Sequence, residues 1–438
     1  MDHGLITRRD LLARTATAAA VATLLPSCES SSAPEPSKRG PTTLVFSHGV
    51  DPSGAVAALI EQFNASNQGR IKVLWRQESE SSTTYHARLK SEFEAGEANS
   101  DVISGDVTWP AEFGNNEWVE DLTELFDEDM RRSFLDGPLQ AVTLNNRFYA
   151  VPWYTDLGML YYRKDLLAKS GFKSPPATWA ELETMAAKVR ADSDVRYGVV
   201  FQGARYEGGV CNGLEFIWGA GGEVLDPEDV SRVVADSPQA ARGLQTERET
   251  VTQGTAPGAV VRFQEHECDT AWLSGDALFM RLWPYAYSQL QLPGSAVKPA
   301  QAGLAPLPVS PGGTKGYSCL GGWNLFINRF SNKKEQAWEF MKFLSGDDAT
   351  KVRALKGSYL PPLKSLYEDR EVLDKVAVVR LARDLVDQIK ARPASPFYAK
   401  MSLEMQKEFH ASLTGRETPK SAVMELQDSI DAIVSSGG

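Results

Sequence analysis

Between residues 43 and 104, short apolar runs alternate with stretches of helical spacing. The apolar and β-branched runs 43–47, 71–75 and 101–104 predict strands. Between them, apolar side chains recur every three or four residues over 54–67 and 85–95, which predicts helices. Alternation of strand and helix is typical of a parallel sheet covered by helices, so we predict an α/β fold. Ligands of such sheets bind beyond the carboxyl ends of the strands.

The pattern continues through the middle and end of the chain. A helical stretch is predicted over 166–190, where Thr178 and Glu181 have the spacing of a capping box. Later strands are predicted at 197–201, 276–280, 302–305 and 322–327, and helices at 333–344 and along the C-terminal stretch.

The N-terminus has the pattern of an export signal rather than of a folded element. Arg8 and Arg9 precede a short apolar run at 16–25, which resembles a twin-arginine signal over 1–27. The residues before Cys28 resemble a lipobox, so we predict lipidation of Cys28 and a flexible, Pro/Ser-rich tether over 28–40. The alternative is a plain cleaved signal with an incidental cysteine. The protein is then expected on the outer face of the cytoplasmic membrane, anchored by its lipid.

Composition and motifs exclude several functional classes. The formal net charge of −11 argues against broad nucleic-acid binding, which needs a basic surface. The sequence contains no P-loop, no G-x-S-x-G and no H-E-x-x-H motif, and its five histidines are scattered. No catalytic residue, metal or cofactor is therefore predicted. Cys211, Cys268 and Cys319 lack metal spacing: either one pair forms a disulfide, or all three are small buried side chains.

Four clusters mix aromatic rings with carboxylates, arginine or glycine near predicted strand ends. They are 106–109 (DVTW), 153–156 (WYTD), 281–285 (RLWPY) and 321–324 (GGWN). A sugar presents apolar C–H faces that lie on aromatic rings, and a hydroxyl rim that must stay hydrogen-bonded when water is removed. Asp and Arg make the stronger hydrogen bonds to such a rim. The clusters therefore indicate a carbohydrate site.

Several longer segments resemble the family 1 extracellular solute-binding proteins, and within them the trehalose/maltose-binding proteins. They are 148–167 (FYAVPWYTDLGMLYYRKDLL), 174–182 (SPPATWAEL), 202–211 (QGARYEGGVC), 281–285 (RLWPY), 320–323 (LGGW) and 391–393 (ARP). The resemblance spans nearly all of 42–435. It implies two α/β lobes in a type II, maltose-binding-protein-like fold, with a hinge and an interlobe ligand cleft. Lobe 1 is expected over 41–152 plus about 288–347, and lobe 2 over 153–287 plus about 348–438.

The resemblance also implies the ligand-binding residues. Asp106 and Asp156 are expected to accept hydrogen bonds, and Arg76 and Arg392 to donate them. Tyr154, Trp283 and Trp323 are expected to form stacking walls, with Gly322 offering its backbone.

One ligand group that the resemblance implies is missing from the sequence. The disaccharide binders often carry a carboxylate at the position of Gly54, where this chain has none. Asp51 or His48 is expected to take its place.

These residues predict the substrate-binding component of an ABC sugar importer, which captures an α-linked disaccharide such as trehalose or maltose. Its expected partners are the sugar and the membrane subunits of the permease, and we expect a monomer. Two alternatives remain open. The same fold can carry another cargo, namely an oligosaccharide, another glucoside or glycerol-phosphate. The other is a secreted glycosidase that uses Asp106 and Asp156 as its carboxylate pair.

Overall fold

In the computed structural model, strands and helices begin near the residues at which local sequence signals predict them. The structure describes residues 40–393 and 395–436. The predicted signal, Cys28 and the tether up to residue 39 lie outside these ranges. The strands are β1 Thr42–His48, β2 Ile71–Gln77, β3 Val102–Asp106, β4 Thr143–Leu144, β5 Arg147–Phe148, β6 Val151–Leu157, β7 Met159–Arg163, β8 Tyr197–Val200, β9 Ala277–Leu282, β10 Ala302–Ala305, β11 Ser318–Ile327 and β12 Ile389–Lys390.

The helices follow the predicted apolar spacing and its stop signals. The predicted stretch 166–190 is split into two helices, because Pro175 and Pro176 interrupt it. The second helix has Thr178 as its N-cap, whose Oγ1 accepts a hydrogen bond of 3.2 Å from the Glu181 amide. The α-helices are α1 Ala55–Ser66, α2 Ser82–Glu94, α3 Pro110–Asn115, α4 Glu128–Ser133, α5 Asp136–Ala141, α6 Lys164–Lys169, α7 Trp179–Ala191, α8 Glu207–Gly219, α9 Pro238–Thr252, α10 Glu265–Leu273, α11 Ala286–Gln289, α12 Lys334–Ser345, α13 Asp347–Gly357, α14 Arg370–Lys375, α15 Ala377–Asp384, α16 Tyr398–Leu413 and α17 Pro419–Ser436. Apolar residues of α1 that share one face, from Ala55 to Phe63, are buried. Among the described residues, no helix combines the length and apolar character needed to span a bilayer.

Two sheets organise the fold. The six-stranded sheet has the order β12-β11-β3-β1-β2, with β6 paired to β11. Its strands β1, β2 and β3 are parallel as predicted, whereas β11 runs antiparallel to both β3 and β6. The four-stranded sheet has the order β10-β7-β9-β8, with only β8 and β9 parallel. The N-terminal prediction of a parallel sheet is therefore correct for three strands, and the complete sheets are mixed.

The chain passes from one sheet to the other at Gly158, between β6 and β7. The Gly158 carbonyl accepts a hydrogen bond of 2.7 Å from Ser318 Oγ at the start of β11. A Cβ atom at this position would collide with the Glu215 carboxylate and the Arg281 guanidinium, so a larger residue would displace this buried ion pair. This crossing joins two lobes, one built on each sheet.

The predicted lobe boundaries remain a proposal, and several segments pack across them. Strand β12 and residues 153–157 of β6, predicted for lobe 2, belong to the six-stranded sheet, where both strands pair with β11. Strand β10, within the range 288–347 predicted for lobe 1, pairs with β7 in the four-stranded sheet. Helix α13, predicted for lobe 2, packs against α1 and α12 beside the six-stranded sheet. The long-range partners of these segments have no local signal in the sequence.

Candidate functional site

A cleft of about 460 Å³ lies where the loops and strand ends of the two sheets face each other. Its wall contains six predicted residues: Asp106, Tyr154, Asp156, Trp283, Trp323 and Arg392. The volume lies within the range of roughly 300–1,000 Å³ that is typical of small-molecule sites. The predicted clusters thus converge. Two of them, 106–109 and 281–285, stand at strand ends as predicted, whereas the other two do not. Asp156 and Trp323 lie inside β6 and β11.

Three of the predicted residues that line the cleft are aromatic: Tyr154, Trp283 and Trp323. The Trp323 ring lies nearly parallel to the Tyr85 ring, with 6.0 Å between centroids, and Trp109 packs against it at 5.7 Å. Tyr154 is held against Tyr359 at a centroid distance of 4.7 Å. Aromatic neighbours therefore fix the two rings on this side, so they present preformed faces to a ligand.

Trp283, the third aromatic wall, is held by a buried ionic network behind it. The guanidinium of Arg281 lies 3.9 Å from the centroid of the Trp283 ring. Its Nε donates a hydrogen bond of 2.7 Å to Glu215, and its Nη1 donates one of 2.9 Å to Gln202. At the edge of the ring, Trp283 Nε1 donates a hydrogen bond of 3.1 Å to Glu265. The Trp283 ring is therefore fixed by a cation against one face and by a hydrogen bond at its edge.

Asp156 is a buried carboxylate in the cleft wall whose hydrogen-bonding capacity is unused. Its side chain is 6% exposed, and its Oδ1 has no hydrogen-bond partner among the described residues. Burial raises the pKa of Asp156 well above its usual range; Arg281 opposes this rise and Asp106 adds to it. A buried acceptor without a partner is costly, so a ligand that donates a hydrogen bond to Asp156 would be stabilised.

Arg392 connects two carboxylates at the cleft. Its Nη2 donates to Asp106 Oδ1 at 2.9 Å, and its Nη1 donates to Glu207 Oε1 at 2.8 Å. Glu207 also accepts hydrogen bonds from Tyr398 and Ser402. Burial lowers the pKa of Arg392, but Asp106 and other neighbours outweigh it and raise the pKa overall. The arginine stays charged and holds both carboxylates in place.

Two predicted site residues lie elsewhere. Arg76 does not line the cleft, because its guanidinium points to α2 and pairs with Glu92 at 2.8 Å. The backbone of Gly322 is engaged within the protein. Its carbonyl accepts a hydrogen bond of 2.9 Å from the Val107 amide, and a Cβ atom would lie 2.6 Å from the Tyr154 carbonyl oxygen. Its neighbour Gly321 lines the cleft instead.

Of the two candidates to replace the carboxylate near Gly54, only one reaches the cleft. Asp51 accepts hydrogen bonds from the amides of Ser53 at 2.9 Å and Val56 at 2.7 Å, so it caps α1 and does not line the cleft. His48 lines the cleft, and its Nδ1 lies 2.7 Å from Ser104 Oγ. Burial lowers the pKa of His48 to about 3, although Asp51 opposes the change, so the imidazole is neutral.

The wall formed by α10 carries a polar group that was not predicted from the sequence. Asp269 and Glu265 both line the cleft there. Asp269 Oδ2 accepts hydrogen bonds from Tyr285 at 3.0 Å and Gln289 at 2.9 Å, whereas its Oδ1 is buried without a partner among the described residues. The available signal was the four-residue spacing of Glu265 and Asp269, which places both on one face of a helix.

The three cysteines of the described region are buried free thiols, with Cys211 in the cleft wall. The structure thus has the second of the two predicted arrangements. The described residues contain no group of His, Cys, Asp and Glu side chains arranged to hold a metal ion.

Comparisons with known proteins identify the family. The model of the family described as bacterial extracellular solute-binding protein matches residues 48–351, more than half of the chain. A probable ABC transporter-binding protein of Deinococcus radiodurans is 35% identical over 360 residues, covering 80% of this chain and 84% of the relative.

Solved structures agree with this assignment. Maltose-bound MalE3 of T. maritima is 36% identical, with a TM-score of 0.85 over 90% of this chain and 100% of that one. A solute-binding protein of Thermotoga lettingae bound with α-D-tagatose, 23% identical, has a TM-score of 0.79 over 90% of this chain and 100% of that one. These similarities confirm the two-lobe, maltose-binding-protein-like fold. The glycosidase alternative is wrong, because the family and its relatives are binding components of transporters. The chain therefore belongs to the bacterial extracellular solute-binding proteins, as an exported substrate-binding component of an ABC transporter and not an enzyme.

Proposed function

We propose that this protein captures an α-linked disaccharide, such as trehalose or maltose, in the cleft and delivers it to the membrane subunits of an ABC sugar importer. The observation that carries the proposal is the buried, unpartnered Oδ1 of Asp156 beside three fixed aromatic rings. An acceptor beside apolar faces suits a ligand with hydroxyl donors on its rim and C–H groups on its faces.

The cleft dimensions and the structural neighbours support a sugar of this size. A volume of about 460 Å³ leaves room for more than one ring. Among the proteins with this fold, MalE3 was solved with maltose, and others were solved with α-D-tagatose, ribitol and D-mannitol. MalE3 shares 36% of its residues with this chain and the other three share 22–23%, which favours maltose among these ligands.

Phosphorylated cargo fits the cleft less well. Asp106, Asp156, Glu207, Glu265 and Asp269 line it, and the Arg392 guanidinium is already shared between two of them. A phosphate group would meet carboxylates rather than free cations, which is unfavourable. Glycerol-phosphate is therefore a poorer candidate than a neutral glycoside.

The N-terminal segment bears on how the protein is exported and where it is held. We infer export by the twin-arginine route, lipidation at Cys28, and a monomer tethered to the outer face of the cytoplasmic membrane. The twin arginines, the lipobox-like residues before Cys28 and the polar stretch that follows support this inference. Replacing Cys28 with Ser and following the partition of the protein between membrane and medium tests it. Equal membrane association of both forms would contradict lipidation.

A thermal-shift panel tests the cargo. Trehalose or maltose should raise the melting temperature, since a ligand that binds only the folded state stabilises it. Glycerol-3-phosphate should not. Asp156→Ala and Trp323→Ala should each abolish the shift. The absence of a shift with any α-linked disaccharide would overturn the proposed cargo, and a retained shift in both variants would overturn the site.

A further inference from the structure

The cleft wall contains more carboxylates than its own cations pair with. Arg392 lies in the cleft wall, where it is paired with Asp106 and Glu207. Four other lining carboxylates have no Lys or Arg partner within 4.0 Å among the described residues. They are Glu80, Asp156, Glu265 and Asp269. The lining histidines do not compensate, since His48 is neutral and His266 is exposed.

Asp269 is the carboxylate for which this imbalance matters most. Its side chain is 7% exposed, and Tyr285 and Gln289 fix its Oδ2. Its Oδ1 is buried and has no partner in the described region. Burial raises the pKa of Asp269 to about 7, although these two hydrogen bonds oppose the rise, and Glu265 and Glu80 add to it. The two hydrogen bonds thus fix the position of the Asp269 carboxylate, but no cation stabilises its charge.

Glu265, on the same face of α10, is already committed as an acceptor. It accepts hydrogen bonds from Trp283 Nε1 at 3.1 Å and from Tyr206 at 2.7 Å. Both donors are neutral, so they leave its charge in place. A neutral hydroxyl of a ligand would satisfy the free oxygen of Asp269, but it would leave the local negative charge uncompensated as well.

We propose that this end of the cleft recognises a protonated amine, so that the preferred ligand is an amino-substituted disaccharide with its ammonium group against Asp269 and Glu265. The inference rests on the proposed function and narrows its substrate class. An ammonium group offers three donors and one positive charge. Charge-assisted hydrogen bonds of this kind are about twice as strong as neutral ones. The aromatic walls and Asp156 then hold the rest of the sugar.

The test compares trehalose with its 2-, 4- and 6-amino-deoxy derivatives and with the N-acetyl form of each, by titration calorimetry at pH 7.5. The N-acetyl forms keep the position of the nitrogen but remove its charge. At least one amine should bind about tenfold or more tightly than trehalose and than its own N-acetyl form. Asp269→Asn should remove this advantage, so that each amine and its own N-acetyl form bind the variant with similar affinity.

Asp129→Asn is the matched control, since the Asp129 side chain is 93% exposed on α4. It should leave every affinity unchanged. Melting temperatures without sugar show whether each variant is folded. If trehalose binds and no amine binds more tightly, this inference is overturned while the proposed function stands. An advantage that persists in Asp269→Asn also overturns it. If neither trehalose nor any amine binds, both proposals fall.

Discussion

Nη2 of Arg392 donates a hydrogen bond of 2.9 Å to Oδ1 of Asp106, and both side chains are almost completely buried. The bond links the C-terminal segment after β12 to the end of β3. Because Nη1 of the same guanidinium holds Glu207 at the start of α8, one cation orders three separate parts of the cleft wall.

Arg392→Ala should therefore damage both stability and binding. It leaves two buried carboxylates without their cation, a change that typically costs about 3–5 kcal/mol. Urea unfolding measures the loss of stability, and calorimetry with trehalose or maltose measures the loss of affinity. Arg76→Ala is the control, because Arg76 is 33% exposed and pairs with Glu92 outside the cleft. Its effect should stay below about 1 kcal/mol. Equal losses in both variants would contradict the role assigned to Arg392.

Two variants of Trp283 separate the contribution of its aromatic face from that of the hydrogen bond made by Nε1. Trp283→Ala and Trp283→Phe both remove the hydrogen bond from Nε1 to Glu265, but only the Phe variant keeps an aromatic face over Arg281. The Ala variant should bind the disaccharide about tenfold more weakly than the Phe variant, since aromatic contacts contribute roughly 0.5–1.5 kcal/mol beyond buried area. Calorimetry on both variants gives the difference. Equal affinities would show that the ring face does not carry the ligand.

Local signals explain which parts of the fold could be predicted. The three N-terminal strands and α1 follow apolar spacing within a few residues, and α7 begins at the predicted cap Thr178. The mixed character of both sheets could not be predicted in this way. In the six-stranded sheet it arises because β11 returns late in the chain and pairs antiparallel with β3 and β6. In the four-stranded sheet it arises because β7 pairs antiparallel with β9 and β10, and pairing at such distance leaves no local pattern.

The site shows the same division. Asp156 and Trp283, which line the cleft, could be proposed from the sequence because they stand in aromatic clusters and in motifs that resemble a family. Arg76 does not line the cleft because successive side chains of a strand point to opposite faces, and its own face of β2 meets Glu92 of α2. Asp269 was missed because its environment comes from the packing of α10 beside Tyr285 and Gln289. No pattern around Asp269 itself specifies these neighbours.

Asp269 should make the stability of the free protein depend on pH. Its pKa is about 7 in the folded protein against an ordinary value of 3.8, so the folded state holds this proton more tightly than the unfolded chain does. The folded state therefore loses stability as the pH rises from about 4 to 7, because an ionised carboxylate must then remain buried. Each pKa unit corresponds to about 1.4 kcal/mol, so the full effect is on the order of 4 kcal/mol.

Asp269→Asn should remove this dependence, so the variant should gain stability over the wild type at pH 8 and not at pH 4. Urea unfolding at both pH values measures the gain. Glu247→Gln provides a matched comparison outside the cleft wall, since burial raises the pKa of Glu247 to about 8 and the nearby Glu215 adds to the rise. It should give a similar gain without changing ligand binding. A gain at pH 8 that is equal to the gain at pH 4 would contradict the assignment to ionisation.

Gly322 should be indispensable for packing rather than for ligand contact. Its φ of 128° is unfavourable for other residues, and a Cβ would lie 2.6 Å from the carbonyl oxygen of Tyr154 on the neighbouring strand β6. Gly322→Ala should therefore push β6 away and destabilise the protein by about 1–3 kcal/mol. Tyr154 and Asp156 would be displaced with β6, so sugar affinity should fall as well. Gly258→Ala is the control, because no atom lies within 4 Å of a Cβ built there. Urea unfolding and calorimetry on both variants should separate them, and a Gly322→Ala protein as stable as Gly258→Ala would refute the close approach of β6 and β11.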